Sequence, residues 1–211
     1  MTAYRWMLIA AVAACVAIVG AARAQTVIED WGAAKAPKAP ETKPVTVDPA
    51  KTALFVMDFN RNSCVPGRRE RCVAVLPKVE KILAAARAKG VVVVHTLSGT
   101  TTPADIVKEL TPKPGERALN APIDKFYGND LEKMLKDRGV DTVILTGTSA
   151  NGAVLFTAGG AAVRGFKVIV PVDGMPADDL YQEQFAAWNI VNGPTVRDKS
   201  TLTRIDQITF K

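Results

Sequence analysis

No internal repeat and no nucleic-acid-binding motif occurs in this chain, and its basic residues form no stripe interleaved with aromatics. The first absence excludes a repeat array, and the other two argue against DNA or RNA as a partner. Histidine is nearly missing, with His95 alone, and cysteine is scarce, with three residues. At 211 residues the chain is too short for two ordinary domains, while its 48% of hydrophobic residues can bury one substantial core.

What is present begins with an export signature. Arg5 supplies a positive start, Trp6 to Ala22 is almost wholly apolar, and Ala22-Arg23-Ala24 has the small-x-small form of a cleavage site. Residues 1–24 therefore read as a signal peptide cleaved after Ala24, which predicts a periplasmic or secreted protein with membrane contact only during export. Val12-Ala13-Ala14-Cys15 passes loosely for a lipoprotein box, but the residues after Cys15 stay apolar, as in a signal core. Cleavage removes Cys15 and leaves Cys64 and Cys72, a disulfide candidate in an oxidising compartment, with two free thiols as the alternative. It also takes the basic residues from 27 to 25 against 21 acids, so the formal charge becomes +4. The densest basic cluster, Arg68-Arg69-Glu70-Arg71, reads as a solvated loop tip.

Residues 25–51, rich in Ala, Pro and Lys, cannot bury much and read as an extended leader. The domain then spans 52–211. Thr52 to Asp58 is a buried strand ending in a carboxylate, and Val73 to Gly90 has helical spacing at Val75, Val79, Ile82, Leu83 and Ala86. Val91 to Thr96 is a second strand, and Ser98 to Ala121 a long loop. An amphipathic helix around Leu131, Met134 and Leu135 follows. Further strands are expected at 142–146, 166–172 and 200–208, with helices from Asn151 and over 178–191. Alternating strands and helices predict a three-layer, Rossmann-like α/β fold with a mostly parallel sheet of about six strands.

The segment from Thr142 to Arg164, a buried strand, a tight polar turn and a helix, is where such a sheet builds a site. Its GTSANGAV resembles the nucleophile turn of the isochorismatase-like hydrolases, the cysteine hydrolase superfamily, where Gly-x-x-Thr-x-x-Cys-Val is usual. Gly147 and Val154 fall in register, but Ala150 replaces the Thr and Ala153 the nucleophilic Cys. FVMDFN is similar to the first-strand motif and puts Asp58 at the catalytic Asp. DKFYGNDLEKMLKDRGVDTVILTG and VIVPVDG match further segments of the domain. Counting without a gap from the Phe126-Tyr127 pair places Asn120 at the catalytic Lys position, with Lys125 able to substitute if the loop shifts.

The resemblance implies an oxyanion hole from the backbone N–H groups of Ser149 and Ala153, presented by a cis Thr148–Ser149 peptide. It implies substrate contacts from His95, Lys125, Phe126, Tyr127 and Asn151, and walls from 98–121 and 181–196. Metal-binding members use two histidines, so no metal site is expected here, and no cofactor. The implied partners are a small, anionic substrate and further copies of the chain in a homo-oligomer. Without the thiol, the expected function is hydrolysis with Asp58 as general acid or base, vinyl-ether cleavage being favoured over amide cleavage. The alternative is a pseudoenzyme that binds a metabolite or a protein.

Overall fold

The computed structural model describes residues 26–211, and the expected signal peptide lies outside the described residues. Two compact units are distinguished, Met1–Lys38 and Ala39–Lys211. The described part of the first carries one short 3-10 turn, Trp31–Ala33, with nothing buried. The second takes in residues ahead of Thr52 as well. The reason is strand β1, Val45–Val47, which pairs in parallel with the last strand of the chain and buries Val47.

The elements that follow are β2 (Thr52–Met57), α1 (Glu70–Ala88), β3 (Val92–Leu97), β4 (Arg117–Asn120), α2 (Leu131–Asp137), β5 (Thr142–Gly147), α3 (Leu155–Val163), β6 (Lys167–Pro171), α4 (Leu180–Asn192), β7 (Ser200–Thr203) and β8 (Ile208–Phe210). Six of the strands form one sheet in the order β4-β3-β2-β5-β6-β7, every pair parallel. Strands β2 and β5 are buried along their whole length, as continuous apolar runs in a covered parallel sheet should be.

Alternation along those strands divides the core. Ala53, Phe55, Met57, Val143 and Leu145 pack with Leu131, Leu135, Ala158, Ala161, Ala186 and Ile190, from α2, α3 and α4. Leu54, Val56 and Ile144 face the other way, onto Leu76, Val79, Ile82, Leu83 and Ala86 of α1. Helices on both faces of the sheet make the three layers. Cys64 and Cys72 join the α1 side of the core and are disulfide-bonded, with Cα atoms 5.2 Å apart.

Two expectations change in detail. The stretch expected as loop carries β4, an edge strand without an apolar run, held by backbone pairing of Arg117–Asn120 with Val94–Leu97. The expected last strand divides into β7 and β8 around a 3-10 turn, Ile205–Gln207, whose Ile205 N–H donates to Asp173 Oδ1 at 2.9 Å.

The strand order reverses between β2 and β5. Chain leaves β2 toward β3 and β4 on one side, then returns to β5, β6 and β7 on the other. The crevice beyond the carboxyl ends of those two strands is where an open α/β sheet takes a ligand.

Candidate active site

Asp58 is the first residue beyond β2, and its backbone turns into the left-handed region, φ 59°. Asp tolerates that conformation better than most residues. Its N–H donates to Thr96 O of β3 at 3.0 Å, and its carbonyl accepts from Asn60 N–H at 2.9 Å, which fixes the turn. The side chain then faces two donors. Thr96 Oγ1 donates to Oδ1 at 3.0 Å, and Lys125 Nζ donates to Oδ2 at 2.7 Å. Two accepting oxygens are the pattern of a carboxylate.

Lys125 is 1% exposed, and its ammonium is also within 3.3 Å of Ala121 O. Its neighbours aim it. Phe126 is locked in the core, its ring centroid 5.6 Å from Phe55 and 5.5 Å from Phe166. Asp124 accepts from Phe126 N–H at 3.0 Å and pairs with Arg164 at 3.2 Å. That carboxylate lies against Gly160 of α3, where a Cβ would come within 2.3 Å of Asp124 Oδ1. With Asp124 and Phe126 pinned, the side chain between them is left to reach the pocket.

The other half of the site follows β5. Gly147 ends the strand against β2, and a Cβ there would meet Met57 Cβ at 2.6 Å and Met57 O at 2.9 Å. Only glycine lets the two strand ends approach so closely. Thr148 N–H donates to Met57 O at 3.0 Å, and the Thr148–Ser149 peptide is cis. Residues Ala150–Val154 then form a π-type turn, kinked at Gly152 (φ −113°, ψ −106°), that leads into α3. A cavity of about 520 Å³ opens where the two halves meet, and Asp58, Lys125, Thr148, Ser149, Gly152 and Ala153 all line it.

Residues 52–200 match the family described as Isochorismatase domain. The chain belongs to that family. It is 34% identical over 152 residues to N-carbamoylsarcosine amidase of an Arthrobacter species, covering 57% of this chain and 58% of the relative, so it spans under two thirds of that protein's length. It is 30% identical over 148 residues to maleamate amidohydrolase of Pseudomonas putida, covering 57% of this chain and 70% of the relative. An isochorismatase-like hydrolase from Alkaliphilus metalliredigens superposes with a TM-score of 0.67 at 25% identity, over 74% of this chain and 96% of that one. Members of the superfamily are hydrolases, amidases among them.

Within this isochorismatase domain, the residues read from sequence separate. Asp58, Ser149 and Ala153 meet at one cavity, and the cation beside Asp58 is Lys125, not Asn120. Asn120 is the last residue of β4, exposed, and its Nδ2 donates to Gly99 O and Thr101 O at 2.6 and 3.3 Å. It braces the 98–101 turn. Phe126 belongs to the core and Tyr127 is 68% exposed, so neither faces the cavity. Asn151 is half-buried in the π-type turn, but the cavity wall there is Gly152 and Ala153. The 98–121 segment does supply wall, through Ser98, Gly99, Thr101 and Ala121, whereas 181–196 supplies none.

The segment Val65–Arg71, which runs into the start of α1, supplies what sequence reasoning missed. Arg68 and Arg69 both line the cavity, Arg68 from an exposed position and Arg69 half-buried. Arg69 spans to the opposite wall, donating through Nη1 to Thr148 Oγ1 and through Nε to Asp178 Oδ1, each at 2.6 Å. The signal for this was the pair of cysteines flanking the cluster. Among the described residues no group of three or more His, Cys, Asp or Glu side chains could hold a metal ion.

His95 is also away from the cavity, fully buried, with Nε2 2.9 Å from Glu116 Oε2. Burial pushes its imidazole below the ordinary value of 6.5, and Glu116 only partly pulls it back. Burial acts upward on Glu116, but hydrogen bonds from Arg87, the Lys113 N–H and His95 prevail and bring it down to about 2. Both groups are therefore acid-labile. The unfolded chain binds a proton at His95 below pH 6.5 and at Glu116 below pH 4.5, where the folded chain resists both. The Glu116 cluster contributes on the order of 3 kcal/mol at neutral pH, lost progressively as pH falls from about 4.5 and mostly gone by about pH 2. Urea midpoints should fall from pH 6.5 downward, and Glu116→Gln should flatten the part below pH 4.5. A wild-type midpoint that rises on acidification would contradict this assignment.

Proposed function

We propose that the protein is a thiol-independent hydrolase of a small, anionic enol ether, with Asp58 and Lys125 as its proton-handling pair. The observation that carries this reading is the buried 2.7 Å contact of Lys125 with Asp58 beside a nucleophile position held by Ala153. Ala153 has no atom that can attack. Water must therefore be the nucleophile, and the reaction best suited is one whose difficult step is protonation.

The Asp58–Lys125 hydrogen bond holds one mobile proton. The Lys125 ammonium passes its proton to the Asp58 carboxylate, which delivers it to the terminal carbon of the enol ether. The C=C π pair forms the new C–H bond and leaves an oxocarbenium ion at the ether carbon. Water adds there, and its proton returns to the pair. The hemiketal then releases the alcohol as the carbonyl forms, so one water is consumed and both side chains are restored. Positioned general-acid catalysis of this kind contributes about 10²–10⁴-fold.

A second reading is water attack on a carbamoyl or amide carbon, with the backbone N–H groups of Ser149 and Ala153 stabilising the oxyanion. It is favoured by the activities that name the two relatives. Three probes separate the possibilities: 2-methoxyacrylate, N-carbamoylglycine and maleamate. The expected result is pyruvate and methanol from 2-methoxyacrylate, with one deuterium entering the pyruvate methyl group in D₂O. Ammonia from either of the other probes, without turnover of the first, would replace this reading by the second. No turnover of any probe would leave a binding protein.

Export belongs to the same proposal, supported by Ala22-Arg23-Ala24 and by the Cys64–Cys72 disulfide. A mature protein starting at Gln25 is expected in the mass spectrum of an exported sample, and an intact start at Met1 would count against it.

A further inference from the structure

Charges lining the cavity do not cancel. Asp58 and Lys125 neutralise each other at 2.7 Å, and Arg69 is matched by Asp178 at 2.6 Å. Arg68 is left over: among the described residues it has no carboxylate partner, and its Nη1 contact is to the neutral carbonyl of Asn62. The cavity therefore carries one unmatched positive charge, and its bearer is a guanidinium, whose planar fork suits an oxyanion.

The loop that presents Arg68 is restrained on every side. The disulfide between buried Cys64 and Cys72 closes its base. Arg69 ties it to Thr148 and Asp178, and both nitrogens of one edge of Arg71 grip Glu183 of α4. Within the loop, Gly67 N–H donates to Glu70 Oε1 at 2.6 Å. A seven-residue segment, whose last two residues already belong to α1, is thus held in one position against the cavity, with its unmatched cation at the wall. Charge-matched restraint of this sort is what a recognition element needs, since the ordering cost falls before the ligand arrives.

We propose that the disulfide-closed loop Cys64–Cys72 is the substrate's carboxylate seat, with Arg68 as the specificity-determining contact and Arg69 as the positioning residue that holds the seat against the turn at Thr148. The reactive end of the substrate then lies across the cavity at Asp58 and Ala153. One unmatched positive charge suits a monocarboxylate, whereas a phosphate monoester, at about −1.5 to −2 near neutral pH, would remain overcharged there. This inference rests on the cavity being the substrate site, as under the proposed function, but not on turnover.

Binding rather than activity tests it. Calorimetry on the oxidised protein compares 2-methoxyacrylate, its neutral methyl ester and methyl phosphate, for wild type, Arg68→Gln and Arg61→Gln, an exposed arginine paired with Asp105. The acid should bind about 10- to 100-fold more tightly than the ester, the range of one charge-assisted hydrogen bond. Arg68→Gln should collapse that preference to near unity, and Arg61→Gln should keep it. Preference retained in Arg68→Gln, tighter binding of methyl phosphate, or no acid binding at millimolar concentration would each overturn the proposal. Reduction by dithiothreitol, verified by labelling both thiols, should lower acid affinity several-fold; unchanged affinity would remove the closed loop from it. A protein that binds the acid through Arg68 but hydrolyses nothing would end the hydrolase reading and leave the seat intact.

Discussion

Replacing Asp58 by Asn should lower kcat by about 10²–10⁴-fold and, at the same time, weaken the fold by about 3 kcal/mol. The first effect follows because Asn can accept a hydrogen bond from Lys125 but has no proton to deliver to carbon. The second follows because the substitution leaves a 1% exposed ammonium without its counter-charge. Lys125→Met should destabilise comparably, for the complementary reason that Asp58 loses its only ionic partner among the described residues. The double variant, Asp58→Asn with Lys125→Met, should lose far less than the sum, because no uncompensated buried charge remains. Urea denaturation of the four proteins gives the coupling energy. Additive losses would mean that the two side chains do not share one charge environment, and unchanged turnover in Asp58→Asn would remove it from the chemistry.

Ala153→Cys should create a reactive thiol. Ala153 lines the cavity together with Lys125 and the turn amides, so the new sulfur would enter a site with a cation already in place. Lysine beside a thiol lowers its pKa and raises the thiolate fraction, whereas the Asp58 carboxylate opposes a second negative charge. Because Lys125 is present to offset Asp58, alkylation by iodoacetamide near pH 7 should be at least about 10-fold faster than in Ala153→Cys with Lys125→Met. Adding Asn120→Lys instead should change nothing, since that side chain reaches Gly99 and Thr101 rather than the cavity. Acceleration by Asn120→Lys would show that β4 can turn this position inward, and the cation would have two routes to the site.

These two experiments turn on residues that differ in how far sequence alone could reach. Asp58 was legible because a buried strand announces itself by an unbroken apolar run, and a carboxylate at its end has only the crevice to enter. The turn after β5 was legible for the same reason, with Gly147 marking the close approach to Met57. Lys125 was harder. The family resemblance, counted without a gap, pointed to Asn120, but what selects the cation is which neighbours are pinned. Phe126 is buried among Phe55 and Phe166, Asp124 is tied to Arg164 over Gly160, and only then does Lys125 face Asp58.

Arg68 and Arg69 were read as solvent-facing because charge clusters between a strand and a helix usually are. The half-buried position of Arg69 depends on contacts more than seventy residues away in sequence, such as that with Thr148, which leave no local pattern, and Arg68 reaches the cavity wall while staying exposed. Strand β4 was hidden by its half-exposed, mixed composition, and β1 by being only three residues long and set after a Pro-rich stretch. Histidine scarcity was informative in a different way. The single His95 has 2.9 Å contact with Glu116 inside the protein, so it serves the interior and not the cavity.

The pairing of β1 with β8 has a mechanical consequence. These strands run parallel, Val45 opposite Ile208 and Val47 opposite Phe210, with Lys211 N–H donating to Val47 O at 3.0 Å. A pull applied between the two ends of Val45–Lys211 draws one strand backward along the other. The bonds between them are therefore loaded together in shear, instead of opening one after another like a zip. Resistance of this kind is governed by the rate of unfolding under load rather than by equilibrium stability.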